Sequence, residues 1–224
     1  MISLNYSHSI KDQVYEIVKH RIMTMQFKPG QALSEKELSE NLQVSRTPVR
    51  EAFIQLASDK LVKIYPQRGT LVSKISLASI YESGFIREAL EVAVIHKLIE
   101  GIDNQGIRDL ENLVEEQDHC RKSNNNEKFY KLDEAFHQKL SELSQYPATW
   151  EVLKSVKLQM DRARYLSLKA ESRMQKIIDQ HQLIVKAIIA KDPILGERHI
   201  RDHIRGTLLN IDELSLEFSA FFEK

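Results

Sequence analysis

Two short runs of this chain read as β-structure, and they lie side by side: Leu61-Val62-Lys63-Ile64-Tyr65 and Gly69-Thr70-Leu71-Val72-Ser73. The turn-rich link Pro66-Gln67-Arg68 joins them, so they predict one hairpin. An isolated hairpin is marginal in water and needs a helical layer to cover its apolar face. Helical patterns precede the hairpin.

Three helices are predicted there. Ile10, Val14, Ile17, Val18, Ile22 and Met25 recur at helical spacing, giving a helix over roughly 8 to 26 that Lys28-Pro29-Gly30 ends. Ser34 and Glu37 have capping-box spacing, and Leu38 and Leu42 then supply one face of a short second helix. Ser45 can cap a third helix, Pro48 is tolerated in its first turn, and Val49, Ala52, Phe53 and Leu56 form its apolar face up to about Asp59. Helix, helix, helix, hairpin is the order of a winged helix-turn-helix, with the hairpin as its wing. We place this first domain over residues 1–74.

From Ser76 onward the strand pattern disappears. Six amphipathic stretches follow, roughly 77–100, 104–122, 125–144, 147–169, 171–190 and 193–221, with breaks at Gly101, Ser123 to Asn126, Tyr146-Pro147, near Ala170 and Asp192-Pro193. They predict an all-α six-helix bundle over residues 80–224 behind a linker of residues 75–79, so the fold class is mainly α. A length of 224 residues accommodates two such cores. No apolar run approaches the roughly 20 residues of a membrane span, and MISLNYSHSIKDQ lacks the order of a secretory signal, so we expect a cytoplasmic protein with no membrane partner. The single cysteine, Cys120, permits no internal disulfide. Trp150 and Phe221-Phe222 read as core or dimer contact.

Charge separates the two halves. Residues 1–75 carry 11 Lys+Arg against 7 Asp+Glu, a net of +4, whereas the remainder carries 21 against 25, a net of −4. A basic front and an acidic back suit a nucleic-acid module fused to a domain that avoids phosphate. The sharpest DNA signal is Ser45-Arg46-Thr47-Pro48-Val49-Arg50, which sets Arg46, Thr47 and Arg50 at the exposed start of the third helix. Arginine fits guanine O6 and N7 bidentately, and threonine can meet a phosphate or a thymine methyl. Lys36 would donate to the backbone, and Arg68 and Gly69 at the wing tip would enter the minor groove. The alternative is a solvated helix face.

In the back half, Asp133 and His137 stand four apart in DEAFHQ and so project from one helix face. His181 and His203 fall on two later helices, and a bundle can bring all four together as one carboxylate and three imidazoles, a set suited to zinc, nickel or manganese. Spacing alone leaves open that these are ordinary hydrogen-bonded core histidines. His199, one turn before His203, is a rival ligand. His8, His20, His96 and His119 read as surface or packing residues.

The stretch ALSEKELSENLQVSRTPVREAFIQLASDKLVKIYPQRGTLVS, residues 31 or so to 73, resembles the winged helix-turn-helix of the GntR family. DEAFHQ, DQHQLIVKAI and KDPILGERHIRDHI resemble the FCD ligand-binding domain of the FadR subfamily, and the six-helix count its VanR-like branch. The resemblance implies a dimeric repressor on a palindromic double-stranded operator, with Lys36, Arg46, Thr47, Arg50 and Gly69 at the DNA, and Ser45 and Arg68 join them as candidate DNA contacts. It implies a divalent metal ion, zinc or nickel before manganese, on Asp133, His137, His181 and His203, helping to hold a small carboxylate effector. Arg87 resembles an arginine often found in these domains, and Arg162 or Arg164 would also face the cavity; a guanidinium fork suits a carboxylate. Arg87 has a rival role as the helix partner of Glu91. Ser144-Gln145-Tyr146-Pro147 and Gly196 depart from the family pattern, Gly196 standing where alanine is usual. We expect no catalytic residues. Two other functions compete: a metal-dependent enzyme at the Asp/His site, which would lack an HExxH-type base, and an effector-independent DNA binder.

Overall fold

The computed structural model describes residues 9–167, 171–209 and 211–223, which leaves His8 and the break expected near Ala170 outside the described residues. The chain divides into two compact units, residues 1–77 with 215–224, and residues 78–214.

The first unit begins with α1 (Ile10–Met23), capped by Ser9, whose side chain accepts from the Asp12 backbone N–H. Val14, Tyr15, Val18 and Ile22 form its buried face. The helix ends sooner than the apolar spacing suggests, because Met25 adopts φ 59° in the turn that leads to Lys28-Pro29-Gly30. A two-residue strand β1 (Ala32–Leu33) follows, then α2 (Glu35–Leu42) and α3 (Arg46–Ser58). Ser34 caps α2 through the Glu37 N–H, and Gln43 closes it in the left-handed conformation. Val49, Ala52, Phe53 and Leu56 bury the inner face of α3, which packs on α1 and α2.

The hairpin of β2 (Val62–Tyr65) and β3 (Gly69–Val72) runs in the register Val62↔Val72 to Tyr65↔Gly69. Pro66 sits at the second position of its turn and Gln67, with φ 62°, at the third, the pattern of a type II turn closed by the Arg68 N–H on the Tyr65 carbonyl. The wing is a three-stranded sheet in the order β1-β3-β2, because Ala32 pairs with Leu71 and Leu33 with Thr70. Two residues are too few to show a period, so β1 left no mark in the sequence pattern. Within this unit Ile75 is fully buried and bridges Phe222 in parallel, with hydrogen bonds from Ile75 N–H to the Phe221 carbonyl and from Glu223 N–H to the Ile75 carbonyl.

The second unit is helical throughout its described residues: α4 (Leu77–Gly101), α5 (Asn104–Lys122), α6 (Asn126–Leu143), α7 (Ala148–Val156), α8 (Leu158–Ser167), α9 (Glu171–Ile189), α10 (Pro193–Leu208) and α11 (Ile211–Glu217). The winged helix and helical bundle match the expected fold class, but two of the six expected stretches are broken. The stretch 147–169 divides at Lys157. Neither proline nor glycine marks that break. It follows from the Lys157 side chain turning inward, where it is buried, donates to Glu134 and Asp161, and stands 5.1 Å from the Trp150 ring. The stretch 193–221 divides into α10 and α11. α5 packs on α6 and α9, and α9 on α10, around a core that includes Ile95, Leu110, Phe129, Phe136, Ile178 and Ile204. Gly196 lets α10 approach α4 closely: a Cβ there would stand 2.8 Å from side-chain carbons of both Ile95 and Ile99. Among the described residues no helix is long and apolar enough to cross a membrane.

Candidate functional site

In the first unit, Lys36, Ser45, Arg46, Thr47, Arg50, Arg68 and Gly69 are all exposed. Ser45 occupies the N-cap position of α3 in extended geometry, yet its side chain makes no capping hydrogen bond. Its hydroxyl and the first backbone N–H groups of α3 therefore face outward together, an arrangement that suits a phosphate. Arg50 is braced by Glu35 of α2 at 3.2 Å, and Lys36 lies 3.9 Å from Glu40. Gly69, at φ 93°, takes the wing tip through a backbone conformation that few other residues adopt without strain.

The second unit holds a different kind of site. Asp133 and His137 on α6, His181 on α9 and His203 on α10 are all at most 1% exposed, and one ligand atom from each lies within 4.8 Å of the others. His199 is half-buried and outside this group; the structure brings His203 in instead. Glutamine carbonyls, one buried at Gln117 and one half-buried at Gln180, set two of the rings. His181 Nδ1 is 2.9 Å from Gln117 Oε1, and His203 Nδ1 is 3.1 Å from Gln180 Oε1. A carbonyl oxygen only accepts, so each Nδ1 carries the proton and each Nε2 keeps its lone pair for the centre. Phe136 stacks on His181 with centroids 4.1 Å apart and fixes the ring plane.

The protonation states agree with this. Burial pulls His181 down to about 4, against the opposing pull of Asp133. Burial and Arg87 hold His137 well below the usual range for histidine. Burial, with His181 and His137 beside it, does the same to His203. Burial alone would raise the Asp133 carboxyl, but Arg164 and the neighbouring imidazoles override it and hold the group well below the usual carboxylate range. At neutral pH the cluster thus presents three neutral imidazoles and one carboxylate, the forms in which these groups ligate metals.

Two atoms carry the test of fit. Asp133 Oδ2 accepts from Arg164, but Asp133 Oδ1 and His181 Nε2, 3.8 Å apart, are buried without a hydrogen-bond partner. Leaving such groups unpaired costs about 1–3 kcal/mol each, and a native structure calls for a reason. A divalent cation satisfies both, and the donor set of one oxygen and three nitrogens suits it.

Arg87 is the helix partner of Glu91 and also reaches the histidine cluster. Its Nε pairs with Glu91 at 2.5 Å, and its Nη2 lies 2.7 Å from His137 Nε2, which is also 3.2 Å from His203 Nε2. Glu91 Oε2 lies 2.7 Å from His137 Nδ1, off-angle for a hydrogen bond. Arg162 is fully buried on α8, donates to Gln159 at 3.0 Å, and is lowered to about 10 by burial. Arg164 is the busier of the pair, serving Asp133, Glu134 and Asp161.

Sequence reasoning missed Gln117 and Gln180. Gln117 had left a signal, since it continues the apolar stripe of Leu110 and Val114, where a polar side chain needs a reason. Gln180 had left less, because it adjoins His181 yet serves the histidine of another helix.

A family model described as "Bacterial regulatory proteins, gntR family" matches residues 10–72, and one described as "FCD domain" matches residues 82–206. The chain is 34% identical over 221 residues, 99% of its length and 97% of the relative's, to the HTH-type transcriptional repressor RspR of Escherichia coli (strain K12). It is 27% identical over 207 residues, 90% of its length and 84% of the relative's, to the gluconate operon transcriptional repressor of Bacillus subtilis (strain 168). Among solved structures, E. coli McbR/YncC superposes with a TM-score of 0.77 at 23% identity, covering 97% of this chain and all of that one, which shows the shared fold.

Proposed function

This chain belongs to the gntR family of bacterial regulatory proteins and carries an FCD domain, which makes it a DNA-binding transcriptional regulator, and on that premise we propose that it is a metal-dependent, acid-sensing repressor. It acts as a cytoplasmic homodimer on a palindromic operator, each half-site read by one winged helix. Arg46, Thr47 and Arg50 read bases and phosphates in the major groove, Lys36 and Ser45 hold the backbone, and Arg68 and Gly69 enter the minor groove. The exposure of all seven side chains or backbones supports that assignment.

The observation that carries the sensing half is the buried cluster of Asp133, His137, His181 and His203, with unpartnered atoms at Asp133 Oδ1 and His181 Nε2. These four residues would hold a divalent ion, zinc or nickel before manganese. When bound, the ion supplies a Lewis-acid site for one carboxylate of a small organic acid. Gln117 and Gln180 keep the Nε2 lone pairs of His181 and His203 available, and Arg164 keeps Asp133 ionised. Arg87, anchored through Nε by Glu91, offers its second nitrogen to the acid, and Arg162 adds positive charge from α8. Effector binding alters operator affinity only through a difference in its affinity for the two states of the protein.

Metal content and thermal shift of wild type beside His137→Ala and His203→Ala, each with a panel of carboxylic acids, test the reading. Stoichiometric metal in wild type, its loss in both variants, and stabilisation by one acid only in the metal-loaded form are the expected results. Metal-free wild type with a melting temperature unmoved by added zinc, nickel or manganese would sink the sensing half and leave the DNA-binding half intact.

A further inference from the structure

A small cleft among α8, α9, α10 and α11 lies beside the histidine cluster, with a cavity volume of about 50 Å³. Arg164, Arg173, Lys176 and Gln180 line it together with an apolar wall of Ile177, Ile211 and Leu214, and among the described residues no carboxylate does. Arg164 is already committed to Asp133, Glu134 and Asp161. Arg173 and Lys176 are not: neither forms an ion pair with a described carboxylate, and Arg173 Nη1 is buried without a hydrogen-bond partner. A half-buried guanidinium with an unsatisfied inner N–H, next to a second unpaired cation, leaves a polar cost that a bound anion would relieve.

We infer that this cleft is a second anion site, separate from the histidine cluster, taking one oxyanion group, a carboxylate or a phosphate, on Arg173 and Lys176. The guanidinium fork gives the group two parallel N–H donors, and the lysine adds a point charge. The apolar wall favours a small acid with a short aliphatic body. The site is distinct because the cleft meets the cluster through the outer sides of its residues: Gln180 touches His203 at Nδ1 and Arg164 touches Asp133 at Oδ2, whereas the lone pairs that meet in the centre lie at Nε2. Its position also makes it a modulator. Arg164 positions Asp133 and Gln180 positions His203, so an anion beside both side chains shifts the two groups that depend on them.

The test uses the full chain stripped of metal by a chelator, titrated with inorganic phosphate and separately with acetate at constant ionic strength in chloride. One of the two anions is expected to raise the melting temperature of stripped wild type. Arg173→Ala/Lys176→Ala should weaken that anion on the order of tenfold or more, the effect of removing a charge-assisted contact. Lys176→Ala alone, an exposed change that leaves folding intact, should weaken it by a smaller factor. Which anion acts distinguishes a phosphate ligand from a carboxylate one. Equal stabilisation of the double variant, or no stabilisation by either anion, overturns the inference. An anion effect seen only after metal is restored, and untouched by the double variant, places the anion at the histidine cluster: this inference then fails while the metal reading stands. An anion effect that persists in stripped protein, with no metal taken up by wild type, does the reverse.

Discussion

The two functional regions handle charge in opposite ways. The residues proposed to read DNA, Arg46, Thr47 and Arg50, stand in solvent, where an ion pair contributes little to folding, about 0–1 kcal/mol. The cluster of Asp133 with its histidines, and the Arg87, Arg164, Lys157 and Asp161 that surround it, are buried, where an unpaired charge costs several kcal/mol. The difference teaches where each site draws its energy. The exposed residues contribute little to folding and are free to meet a partner, whereas the buried cluster is part of the fold and its side chains cannot be altered without touching stability.

Asp133→Ala is the largest test of that contrast. It removes one anion from Arg164, and in chelator-treated protein we expect a loss of about 3 kcal/mol by urea unfolding, at the lower end for broken buried pairs because Glu134 and Asp161 remain. A change below about 1 kcal/mol would mean that the centre is less integral to the fold than its burial indicates. Arg46→Ala should do the opposite, weakening operator binding by about 1–3 kcal/mol while moving folding stability by less than about 0.5 kcal/mol. Fluorescence anisotropy and urea unfolding on the same preparation read both numbers. Gly196→Ala brings the contrast into the core of the second unit. Its methyl meets Ile95 and Ile99 at 2.8 Å, and overpacking of about 1–3 kcal/mol outweighs the roughly 1 kcal/mol that alanine gains in a helix, so a net destabilisation of about 1 kcal/mol is expected.

The smallest effect lies at the surface of the same unit. Arg205 and Arg201 hold Glu88 below its usual range against a modest opposing desolvation. A depressed folded-state value means that the stabilisation is full above the unfolded value of 4.5 and is lost as pH falls through the folded value. Glu88→Gln should therefore cost less than about 1 kcal/mol at neutral pH, and the gap to wild type should close on acidification. A gap that widens in acid would reverse the assigned sign.

The same contrast governs what was legible in the sequence. α2, α3 and the wing announce themselves because their caps, apolar spacing and turn residues are local: Ser34 with Glu37, Val49 with Phe53 and Leu56, Pro66 before Gln67. Asp133 and His137 share a face by spacing alone, and His203 shares the buried stripe of α10 with Gly196, Ile200 and Ile204, which separates it from half-buried His199. What escaped is non-local. β1 exists because Leu71 and Thr70 offer it a partner, and the break at Lys157 exists because Glu134, on another helix, draws the ammonium inward. Gln117 and Gln180 acquire their importance only from rings that arrive on other helices.

Phe222 sits beside Ile75 in the first unit, although 147 residues separate them in the chain. During synthesis at roughly 5–20 residues per second, the wing emerges several seconds or more before the segment that covers Ile75. The nascent winged helix must therefore spend that interval with an uncapped apolar edge, and the DNA-reading half of this regulator, though translated first, is among the last parts to be completed.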